Sequence, residues 1–101
     1  MTSPLSNAVI GVMTQDVRNR NANQTYQLKK EEHDDQKKIT EDLSFQRDKA
    51  IDDDTFDFFA GRLLVAERKL SKLKKEMEEC LKEVHESAYQ KCIARASVIV
   101  L

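Results

Sequence analysis

Residues 56–87 read FDFFAGRLLVAERKLSKLKKEMEECLKEVHES. Phe56, Phe59, Leu63, Ala66, Leu70, Leu73, Met77, Cys80, Val84 and Ser87 recur at alternating steps of three and four. That is the spacing of a heptad seam, with Ser87 its single polar member. The only glycine in the stretch is Gly61 and there is no proline, so a long helix is expected to run through it unbroken. The stripe can pack within its own small domain or form a seam for another copy of the chain. The sustained heptad favours the second copy.

The charges beside the seam suggest an orientation. Arg62, Lys69, Glu76 and Glu83 flank it on one side, Glu67 and Lys74 on the other. In an antiparallel self-pair centred between Leu70 and Leu73, Arg62 of one copy meets Glu83 of the other, Lys69 meets Glu76, and Glu67 meets Lys74. A parallel pair sets Lys69 against Lys74. Exposed pairs contribute only about 0.2–1 kcal/mol each, so they select an orientation more than they supply affinity.

The rest of the composition agrees with long helices. Of 101 residues, 35% are charged and 6% aromatic, with two glycines and one proline, a mixture suited to helix rather than sheet. One domain at most is expected, with little private core, so burial has to be completed by oligomerisation or a partner helix. A formal net charge of −1 gives no global electrostatic attraction to nucleic acid or anionic membrane. No basic-then-apolar leader stands at the N-terminus and no run reaches the length of a membrane span. Cys80 and Cys92 would lie about 18 Å apart on one helix, too far to bond to each other. Free thiols fit a reducing compartment, cytoplasmic or nuclear.

Working outward toward the N-terminus, Asp52, Asp53 and Asp54 mark a connection. Asp54 is the expected helix cap, with Asp57 three residues on. A turn here folds two helices into a hairpin, and one continuous helix is the competing reading. A second, weaker amphipathic helix is expected over about residues 26–51, with Ile39, Leu43, Gln46 and Ala50 on one face. Within it, KKEEHDDQKK at 29–38 has no apolar side chain and reads as a solvated face. Residues 18–24, rich in asparagine, read as a joint. Before them Leu5, Ala8, Val9, Val12, Met13 and Val17 form a short helix, capped by Ser6 or Asn7. The organisation is therefore an N-terminal segment, 1–24, and a two-helix hairpin, 25–101, with helices near 26–51 and 55–96. Past Ser87 the stripe shifts to Tyr89, Ile93, Ala96 and Val100, because Lys91 occupies a seam position. The apolar tail 97–101 is expected to pack on the first helix or on a partner subunit.

The chain has no phosphate-binding glycine loop, HExxH, CxxC or nucleophile elbow. Cys80, His85 and Cys92 are spaced by five and seven, which fits no zinc pattern, and no third group orients them for catalysis. No catalytic residue, cofactor or metal ligand is assigned. The fold expected is all-α: a helical hairpin with a coiled-coil-like bundle formed on dimerisation. The function expected is non-enzymatic self-association in protein–protein assembly, as an adaptor, small chaperone or structural subunit. The alternative is a helical dimer that binds nucleic acid, double-stranded RNA in particular, through Arg62, Arg68, Lys69, Lys72, Lys75 and Lys82. In architecture alone, such a dimer resembles the small double-stranded-RNA-binding silencing suppressors of some insect viruses; no motif carries residues over.

Overall fold

The computed structural model describes the backbone of residues 4–100 and the side chains of residues 9–98. Two α-helices, α1 (Pro4–Asp48) and α2 (Asp53–Val100), are packed as a hairpin. The chain divides into two compact units. One is Leu28–Met77, and the other brings residues up to Gln27 together with residues from Glu78 onward.

Leu28–Met77 contains the turn. α1 ends where Lys49 N–H bonds to Phe45 C=O and Ala50 N–H bonds to Arg47 C=O, both at 3.1 Å. Ile51 is fully exposed, and the chain reverses with no positive-φ residue among those described. Asp52 caps α2. Its C=O accepts from Phe56 N–H at 3.1 Å. Its carboxylate takes hydrogen bonds from the Thr55 side chain and backbone, which hold it below the usual carboxylate range. The cap is thus Asp52 rather than the expected Asp54; Asp53 and Asp54 lie in the first turn, favourable to the helix dipole.

Leu63, Ala66 and Leu73 are buried in this unit, with Leu70 and Met77 half-buried along the same stripe. Facing them is α1, through Lys29, His33, Gln36, Thr40 and Leu43, which follow the same three–four spacing. Gln36 is only 6% exposed, and its Nε2 donates to Ala66 C=O at 3.4 Å. The run at 29–38 is therefore not wholly solvated as expected: three of its residues fall on the stripe and line the helix interface. Ile39, expected on the packed face with Leu43, is 52% exposed. It sits one position outside the stripe that Gln36, Thr40 and Leu43 define.

The other unit packs the N-terminal part of α1 on the C-terminal part of α2. Helix α1 runs straight through residues 18–24, where a joint was expected. The polar side chains there have partners that leave the helix intact. Asn19 Nδ2 donates to Ser87 Oγ at 2.9 Å and to Val84 C=O at 3.3 Å, and Asn23 Nδ2 donates to Asn19 C=O at 2.9 Å. Ser6 and Asn7 lie inside α1, not at its cap; Pro4 opens the helix, where a missing N–H costs nothing. Val12, Asn19 and the buried Ala22 face α2, while Val9, Met13 and Val17 are turned outward. The side chains of Leu5 and Ala8 lie outside the described residues, as do those of 99–101 in the tail.

The stripe of α2 does not shift after Ser87. Lys91, Ala94 and Val98 continue it half-buried, whereas Tyr89, Ile93 and Ala96 are exposed. Lys91 is accommodated because its Nζ lies 3.1 Å from Asp16 Oδ1, with Arg95 Nη2 at 3.5 Å. Lys91 and Arg95 hold the Asp16 carboxyl below its usual range. A lysine can thus occupy a seam position when its head reaches a carboxylate at the edge.

Candidate interaction surfaces

Most of the residues expected to bind a second copy lie on the stripe that faces α1 of their own chain. Leu63, Ala66 and Leu73 are buried; Phe59, Leu70, Met77, Cys80 and Val84 are half-buried; Phe56 is exposed. The acidic flank is engaged in the same way. Glu76 pairs with Lys29 at 3.0 Å. Glu83 takes a forked pair from Arg18, with Nε at 2.7 Å and Nη2 at 3.2 Å. These pairs hold the Glu83 carboxyl below its usual range and push Arg18 and Lys29 up. The three–four spacing of α1 runs through Lys29, and Arg18 stands one residue before Asn19 on the same stripe; the polar residues that occupy much of the stripe hid it.

The basic flank has no such partner. Arg62 and Lys69 are exposed and make no ion pair among the described residues. They border a shallow groove in the Leu28–Met77 unit, lined also by Ile39, Leu43, Phe58 and Val65. Phe58 is held edge-on to Phe59, with ring centroids 5.3 Å apart. The Arg62 guanidinium lies 4.7 Å from the centre of the Phe58 ring. Ile39, Phe58 and Val65 are 52%, 54% and 65% exposed, so the groove sets exposed apolar side chains beside positive charge.

A second shallow groove runs along the outer face of α2 in the same unit, lined by Leu64, Glu67, Arg68, Ser71, Lys72 and Lys75. Arg68, Lys72 and Lys75 are exposed there without an ion pair among the described residues. Lys82 is not part of this groove; it belongs to the other unit, on a stretch with Glu78, Glu79, Glu83 and Glu86. Of the six bases considered together in the sequence, Arg62 and Lys69 border one groove of the Leu28–Met77 unit and Arg68, Lys72 and Lys75 line another.

In the other unit a groove beside the Arg18–Glu83 pair is lined by Thr14, Val17, Asn21, Ala22, Thr25 and Cys80. Cys80 is half-buried and Cys92 exposed, both as free thiols. His85 is exposed. His33 Nδ1 lies 3.3 Å from Asp34 Oδ1. Among the described residues no group of three or more His, Cys, Asp or Glu could hold a metal ion, and no helix is long and apolar enough to cross a membrane. No protein-family model, curated protein or solved structure matches this chain.

Proposed function

We propose that the chain is a non-enzymatic helical hairpin that acts in protein–protein assembly, completing its core by associating with further helices, first of all those of its own copies. The observation that carries this reading is the distribution of apolar side chains. Among the described residues only Ala22, Leu63, Ala66 and Leu73 are buried apolar residues, whereas Leu28, Ile39, Phe58, Leu64 and Val65 are each more than half exposed. Two helices sharing so small a core are marginal on their own, and grouped exposed apolar residues mark an interaction surface. Self-association at tens of micromolar, an ordinary range for modest affinity, is expected in sedimentation velocity, with a Tm that rises with concentration. A monomer with a concentration-independent Tm refutes self-association.

A second reading is favoured by one observation: Arg68, Lys72 and Lys75 share a groove and have no acidic partner among the described residues. Such a row fits a phosphate backbone. It requires salt-sensitive retention of double-stranded RNA, abolished by Arg68→Glu with Lys72→Glu. Absence of a salt-sensitive shift with any nucleic acid ends that reading.

A further inference from the structure

We infer that the Ile39–Phe58–Val65 groove is the docking face for a second copy of this chain, placed with its α1 over the first copy's α2. This rests on the assembly reading above and specifies its surface.

The two helices bring opposite charge to this groove. On α1, Asp35 and Asp42 stand four residues before and three after Ile39, on its face of the helix. On α2, Arg62 and Lys69 stand three before and four after Val65, on the same groove. All four charged residues are exposed, and none makes an ion pair among the described residues. α1 therefore brings acid, and α2 base, to a face that also carries the exposed apolar side chains Ile39, Phe58 and Val65.

The register within the hairpin brings these groups level. Gln36 contacts Ala66 and Lys29 contacts Glu76. Counting from those contacts, Asp35 is level with Lys69, Ile39 with Val65, and Asp42 with Arg62. A twofold axis parallel to the helices preserves each level and exchanges the edges. Asp35 of one copy then meets Lys69 of the other, Asp42 meets Arg62, and Ile39 meets Val65, each contact occurring twice. A twofold axis across the helices would lay α1 on α1, acid against acid, and is disfavoured. The first arrangement also sets each helix antiparallel to the one it newly touches, as in up-down four-helix bundles.

The bases left over when α1 takes Glu76 and Glu83 thus find acids on a second chain. An anionic polymer would use the basic edge alone and leave Asp35 and Asp42 as obstacles. A second copy uses both edges.

The test is a pair of charge-reversed chains, Asp35→Lys/Asp42→Lys and Arg62→Glu/Lys69→Glu. None of the four side chains is in an ion pair within the described hairpin, so both variants should keep wild-type helix content by circular dichroism. Each variant alone should self-associate about tenfold more weakly or worse, because four favourable contacts become repulsive. Mixed one to one, they should recover wild-type mass by light scattering as a heterodimer, acid facing base on both edges. Variants that dimerise as tightly as wild type, or a mixture that does not associate, overturn this surface but leave the assembly reading standing. A wild type that stays monomeric with a concentration-independent Tm overturns both. Loss of RNA retention in Arg62→Glu/Lys69→Glu, with dimerisation intact in Asp35→Lys/Asp42→Lys, also overturns the proposal, and assigns the basic edge to a polyanion.

Discussion

Replacing Gln36 with leucine should stabilise the hairpin. Gln36 is 6% exposed at the helix interface, and among the described residues its side chain makes one hydrogen bond, Nε2 to Ala66 C=O at 3.4 Å, at the long end of the useful range. That carbonyl lies in the middle of α2 and keeps its helical partner when the glutamine is removed. The loss is at most about 0.5–1.5 kcal/mol. Leucine is of similar length and lies opposite the stripe of Leu63, Ala66 and Leu70. Burying its side chain contributes about 1.5–3 kcal/mol relative to leaving it in water. The difference favours Gln36→Leu by about 1–2 kcal/mol, or roughly 4–16 °C in Tm at about 4–8 °C per kcal/mol for a domain of this size. Thermal melts by circular dichroism, at one fixed concentration so that association does not shift Tm, measure it directly. A variant less stable than wild type refutes the reasoning, because it would show that the glutamine contributes more than packed hydrocarbon at that position.

Three further outcomes follow from the packing and the charges. Leu63→Ala should cost about 2–5 kcal/mol, since Leu63 is 4% exposed in a core of few residues, and denaturant titration should show its midpoint moving sharply downward. Gly11→Ala should raise stability by about 0.5–1 kcal/mol, because an added Cβ meets no atom within 4 Å in mid-helix; a lower Tm would contradict this. Asp16, Asp52 and Glu83 are held below their ordinary values of 3.8, 3.8 and 4.5. Their stabilisation is therefore fully present above those values and is lost as pH falls through the lower values of the folded state. Stability should be level from pH 7 to about 5 and decline below about 4.5, and Asp16→Asn with Glu83→Gln should flatten that decline in acid-titrated melts.

Much of the hairpin was legible in the sequence because α2 obeys the simplest rule. Leu63, Ala66 and Leu73 stand at heptad spacing and are buried as that spacing predicts. The turn was signalled by three consecutive aspartates, although the capping residue is the first of them. Helix α1 was harder to read. Its inward face carries Asn19, Lys29, His33, Gln36 and Thr40, so a search for apolar periodicity divides a 45-residue helix into a short one, a joint and a weaker one. The spacing was present, but the residue types belonged to the surface. Lys91 misled in the same way: its charge suggested the end of a stripe that continues to Val98, and only the position of Asp16 on the other helix explains why.

The candidate surface was legible in part. Arg62 and Lys69 stood out beside the seam, and the sequence assigned them Glu83 and Glu76 of a second copy. The structure assigns those acids to Arg18 and Lys29 instead. Which base reaches an acid first depends on α1 lying against α2, and no pattern within residues 56–87 contains that information.

The claim on which the rest depends is that α1 closes the seam of α2 within one chain. Asn19 and Ser87 report on it, their side chains meeting at 2.9 Å. In a chain with Cys80→Ser and Cys92→Ser, the pair Asn19→Cys and Ser87→Cys should oxidise to a disulfide within the chain. Non-reducing electrophoresis should then show a faster-running monomer, and mass spectrometry a single-chain species two hydrogens lighter, independent of protein concentration. Crosslinking mainly between chains, rising with concentration, would contradict the account and return residues 56–87 to a seam shared between copies.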